Sequence, residues 1–88
     1  MKIKDGFILR EVAGSHVVLP VGKRAEEFNG AINLSGSAVE IWKLLEKETT
    51  IELVVSGLKE IYDIDEETLN ADATAFIGKL RGAGLLDE

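Results

Sequence analysis

A single histidine, His16, and the absence of cysteine limit the chemistry this chain can do before any fold is considered. Without thiols there are no disulfides, no thiolate metal ligands, no iron-sulfur ligation and no cysteine nucleophile. His16 sits in an apolar, strand-like stretch beside a glycine turn. It reads as a strand residue rather than a catalytic base or metal ligand.

The densest acidic group, Asp63, Asp65, Glu66 and Glu67, has the look of a calcium loop but not its spacing. Counted from Asp63, the sixth position is Thr68 where an EF-hand loop needs glycine, and the twelfth is Thr74 where a bidentate glutamate is required. Capping of a helix start explains the group better. Gly78, Gly82 and Gly84 neither follow a strand nor precede a helix, and no Gly-Lys-Ser/Thr triplet accompanies them. Close packing and a helix C-cap are the expected roles. No metal, no cofactor and no catalytic residue is expected.

What remains is backbone. The segment around Phe28, Asn29, Gly30, Ala31, Ile32, Asn33, Leu34 and Ser35 is a short strand with small and polar residues on one face, set just before a helix. In a chain so poor in reactive side chains, an unpaired strand edge is the expected working surface.

The elements that would hold this edge follow from hydrophobic periodicity, which changes once along the chain. Before Ser35 the period is near two. Residues 7–12 and 16–21 form strands joined at Ala13, Gly14 and Ser15, and the pair should be antiparallel. Residues 23–27 are charged and too short for a stable helix, so a turn or loop is expected. The third strand covers residues 30–34, with Ile32 and Leu34 on one face and Ala31 and Asn33 on the other.

After Ser35 the period is near 3.6. Ser35 or Ser37 caps a first helix whose stripe is Ala38, Ile41, Trp42 and Leu45, with Glu40 at capping-box spacing from Ser37. Thr49 and Glu52 form a second capping box, before a stripe of Ile51, Val54, Val55, Leu58 and Tyr62. Asp65 caps the third helix, whose stripe is Leu69, Ala73, Phe76, Ile77 and Leu80, and Gly82 and Gly84 stop it. Leu85 and Leu86 add a last apolar anchor. The expected fold is α+β: a three-stranded antiparallel N-terminal sheet followed by three helices, with Trp42 in the core.

At 88 residues the chain has room for one domain over residues 1–88, and folding at this size buries roughly 60 to 65 % of the exposed surface. It is 45 % apolar, without a run long enough to span a bilayer or an N-terminal secretion segment, so a soluble, cytoplasmic protein is expected. Ten basic residues against sixteen acidic ones give a formal charge of -6. That charge opposes a phosphate backbone and favours basic partners.

The chain resembles the PqqD-like proteins, peptide chaperones also described as RiPP recognition elements. The resemblance is carried by Gly6, Phe7, Ile8, Leu9, Arg10, Glu11, Val12, Ala13 and Gly14 in the hairpin, and by Val18, Leu19, Pro20, Val21 and Gly22. It continues through residues 28–34, residues 38–45, Thr50, Ile51, Tyr62, Asp63, Ile64, Asp65, Asp72, Phe76, Leu80, and residues 83–86.

The resemblance implies a winged-helix-like, non-catalytic domain. Such a domain binds the leader segment of a ribosomally made precursor peptide and hands it to a modifying enzyme, commonly a radical SAM protein. The leader is expected to add as a strand to the third strand, at Gly30, Ala31, Ile32, Asn33 and Leu34. The third helix would form the other wall through Asp72, Ala75, Phe76, Lys79 and Leu80. An edge of this kind is also compatible with homodimer pairing.

Two other classes use a similar order of elements. A winged helix that binds nucleic acid is disfavoured by charge, since residues 65–83 hold four acidic residues against Lys79 and Arg81, a net of -2. A protein-interaction subunit with no leader peptide is the second.

Overall fold

A two-residue strand, β1 (Lys2–Ile3), precedes the opening hairpin. The hairpin is built by its turn: Ala13 and Gly14 take positive φ, 52° and 83°, the pairing whose twist matches that of the flanking strands. In this computed structural model, which describes residues 1–28 and 30–88, the turn joins β2 (Phe7–Val12) to β3 (Ser15–Pro20) antiparallel, Val12 opposite Ser15 and Phe7 opposite Pro20.

After β3 come a single helical turn, α1 (Arg24–Glu27), and a three-residue strand, β4 (Ile32–Leu34). Three helices follow, α2 (Ser37–Leu45), α3 (Ile51–Ile61) and α4 (Glu66–Ala83), and the chain ends in β5 (Leu86–Asp87). The main sheet has the order β2-β3-β4, while β1 and β5 pair antiparallel in a sheet of their own. The α+β order of three antiparallel strands followed by three helices is as expected.

One core serves both layers. Val18 and Leu34 from the sheet meet Ile41, Trp42 and Leu45 of α2, Val54 and Leu58 of α3, and Leu69, Ala73, Ile77 and Leu80 of α4. Each fully buried large aliphatic side chain contributes roughly 2 kcal/mol. Trp42 is 1 % exposed, which confirms it as a core residue, although its indole N–H has no partner among the described residues.

Several local expectations are corrected. Residues 23–27 are not a loop: α1 forms where Arg24 donates from Nε to the Asp5 carbonyl at 3.2 Å and lies 5.6 Å from the Phe7 ring centroid. Tertiary contacts stabilise a turn too short to form alone. The third helix-forming stretch starts as expected, with the Asp65 carboxylate accepting from the Thr68 N–H at 3.0 Å. For α3, however, the cap is Thr50, not Thr49, since the Thr50 hydroxyl accepts from the Leu53 N–H at 3.3 Å.

Neither Ser35 nor Ser37 caps α2. Its N-cap is Gly36, at φ 58° and with no side chain to bond. At the other end of the chain α4 runs through Gly82 and stops at Gly84, whose φ of 81° is left-handed. Gly78 and Gly82 face open space, so they are not a close-packing site. Leu86, expected as a simple apolar anchor, pairs with Ile3 across the small sheet.

Candidate functional site

β4 is the outer strand of the main sheet, and the ladder decides which of its backbone groups are free. The Val21 N–H donates to the Gly6 carbonyl at 2.8 Å, one step beyond the Phe7–Pro20 pair. Hydrogen-bonded pairs alternate in an antiparallel ladder, so Leu19, Val17 and Ser15 of β3 turn their backbone groups to β2. Two features agree: Pro20, which has no N–H, falls at a position that needs none there, and a two-residue turn closes on a bonded pair, Val12–Ser15.

His16 and Val18 therefore face β4, where they lie opposite Leu34 and Ile32. Asn33, opposite Val17, turns its N–H and carbonyl away from the sheet. These two groups are the open edge. Gly30 and Ala31, expected within this strand, lie before it, since β4 begins at Ile32.

The side chains of β4 are sorted in the same way. Leu34 is buried and Ile32 half-buried against the core, while Ala31 and Asn33 are exposed. The start of the strand is fixed by Phe28, which meets Phe7 edge to face at 5.4 Å between centroids. Asn29, part of the segment singled out in the sequence, lies outside the described residues. Gly30 is exposed at φ 100°.

On α4 the spacing of Asp72, Ala75, Phe76 and Lys79 puts them on one face. Asp72, Ala75 and Lys79 are exposed, and Phe76 is half-buried against the core. Leu80 is 1 % exposed, so it supports this face from behind and is not part of its surface. α4 packs mainly on α3 and α2, and β4 on β3.

Sequence reasoning missed a cavity of about 520 Å³ at the far end of β4, lined by Gly14, Ser15, His16, Asn33, Leu34, Ser35 and Gly36. Its residues come from two separate segments that only the β3–β4 register brings together, and no local pattern marks it. Among the described residues no group of three or more His, Cys, Asp or Glu could hold a metal ion. No helix among the described residues is long and apolar enough to cross a membrane.

Residues 15–86 match the protein family described as Coenzyme PQQ synthesis protein D (PqqD). The chain belongs to the PqqD family. The matched span takes in β3, β4 and all three long helices. A solved structure described as "TbiB1 in Complex with the TbiA(beta) Leader Peptide" is similar to this PqqD-family chain with a TM-score of 0.76 and 25 % identity, over 99 % of this chain and 95 % of that one. No curated protein sequence matches it. The structural likeness also takes in β1 and β2, which precede the span of the family match.

Proposed function

We propose that this chain is a RiPP recognition element: a domain over residues 1–88 that binds the leader segment of a ribosomally made precursor peptide without catalysing a reaction. The observation that carries the reading is the likeness, over nearly the whole of both chains, to a protein solved with a leader peptide bound. Membership of the PqqD family agrees with it.

The leader adds as a strand to β4. Its backbone pairs with the outward N–H and carbonyl of Asn33 and with Ala31, and Gly30, Ile32 and Leu34 complete the edge. Asp72, Ala75, Phe76 and Lys79 form the facing wall, with Leu80 behind them. Backbone pairing gives affinity that tolerates many sequences, and contacts to alternate side chains add selectivity. The leader is then presented to a peptide-modifying enzyme, of which radical SAM proteins are the expected class.

Charge argues against the nucleic-acid reading of the same fold. α4 with its cap carries a net charge of -2, where a helix that contacts DNA should be basic. Backbone amide NMR during titration with the precursor's leader peptide tests the proposal. Shifts centred on residues 30–34 and 72–80 are expected. Shifts confined to the β2–β3 hairpin, or none, would overturn it.

A further inference from the structure

The open edge of β4 does not end at Leu34. It runs into the cavity beside His16, which shares Asn33 and Leu34 with the edge and continues along Ser35 and Gly36. A strand paired with Asn33 advances about 3.3 Å per residue. One or two residues past the pairing point, its side chains therefore reach this space.

The chemistry of the cavity differs from that of the rest of the edge. The residues that line it include His16, Ser15, Ser35 and Asn33 and no acidic one; His16, opposite Leu34, shares the core-facing side of the sheet with it, while Asn33 and Ser15 are on the other side. A lining without an acidic residue is unusual in a chain of net charge -6. Gly36, the N-cap of α2, has no side chain to fill the space. Glu11, opposite His16 on β2, and Glu40 of α2, which is 4.0 Å from Lys43, are both outside the lining.

We infer that this cavity is a side-chain subsite for the bound peptide, and that it takes a hydrogen-bond acceptor, a carboxylate or side-chain amide oxygen, just beyond the residue paired with Asn33. The inference rests on the strand-addition reading. His16 is its specificity-determining residue. Ser35 assists as a second hydroxyl donor.

Selection of a random library of short phage-displayed peptides tests this directly, with wild type, His16→Val, Ser35→Ala and Asn33→Pro as targets. The thermal melt of each variant, followed by Trp42 fluorescence, establishes that it is folded. The wild-type pool should be enriched in Asp, Asn, Glu or Gln at one fixed position next to an alternating apolar stretch. With His16→Val, and to a smaller extent Ser35→Ala, that preference should fall roughly tenfold, as loss of one hydrogen bond would give, with the rest of the motif unchanged.

A motif that is the same for wild type and His16→Val overturns the subsite, and if Asn33→Pro removes that motif the edge reading stands alone. Survival of the whole motif in Asn33→Pro, or no enrichment with the wild type, counts against the edge and the subsite together.

Discussion

Gly57 of α3 lies against Leu44 of α2 so closely that a Cβ at position 57 would sit 3.2 Å from both Leu44 methyl carbons. These carbons are the free ends of a half-buried side chain, so they can move by the few tenths of an ångström required. Replacing a helix-interior glycine with alanine gains about 1 kcal/mol of helix propensity. Gly57→Ala is expected to leave stability within about 0.5 kcal/mol of wild type, because this gain offsets the local repacking. Gly57→Val should lower it by more than about 1 kcal/mol. Gly78→Ala, in open space, should show the propensity gain undiminished. Urea unfolding followed by Trp42 fluorescence measures all three.

The N-cap of α4 makes stability depend on acid. The Thr68 hydroxyl donates to the Asp65 carboxylate at 2.8 Å, and the side-chain and backbone bonds from Thr68 hold the carboxyl below its usual pKa. A carboxyl depressed in the folded state stabilises that state above its unfolded pKa. That contribution is lost as pH falls through the usual carboxylate range toward the lower folded value. Asp65→Ala should therefore lower Tm at neutral pH and flatten the acid side of a Tm-against-pH curve. An unchanged acid slope would contradict this role.

Proline separates the two sides of β4. At Asn33 it removes an N–H that faces outward, so Asn33→Pro should leave a folded protein and cut leader affinity by about tenfold or more. At Ile32 the N–H is needed by Val18, so Ile32→Pro should destabilise the sheet itself, by about 1 to 3 kcal/mol for the ladder bond it removes. Circular dichroism melts combined with calorimetric titration distinguish the two results.

The wall on α4 is tested at its smallest exposed member. Ala75→Arg places a long side chain beside Phe76 without disturbing the core, so stability should change by no more than about 0.5 kcal/mol. Leader affinity should fall by about tenfold if α4 lines the groove. Thr74→Arg, on the opposite side of the helix beside Ile77 and Arg81, is the control. It should bind as wild type does.

The long elements were legible in the sequence because their signals repeat. The α4 stripe from Leu69 to Leu80, bounded by Asp65 and Gly84, marks itself several times over. The hairpin was equally plain from Ala13 and Gly14. The short elements were not legible, for a physical reason: β1, β5 and α1 have too few residues for any period, and they form only because distant partners hold them. Arg24 needs Asp5 and Phe7; Leu86 needs Ile3. In the same way the outward direction of Asn33 depends on the parity of a ladder that begins at Gly6 and Val21. Sequence located the edge to within a few residues, while the register identified which backbone groups it offers.

The small sheet has a consequence for how the domain is used. Lys2 is opposite Asp87 and Ile3 opposite Leu86, and the Lys4 N–H donates to the Leu85 carbonyl at 2.9 Å. Entry and exit of the chain are thus side by side. A circular permutant that joins the two ends through a short glycine linker and opens elsewhere should keep the fold. By the same geometry the domain can be spliced into a surface loop of another protein with both connections leaving from one place, without spreading the loop that receives it.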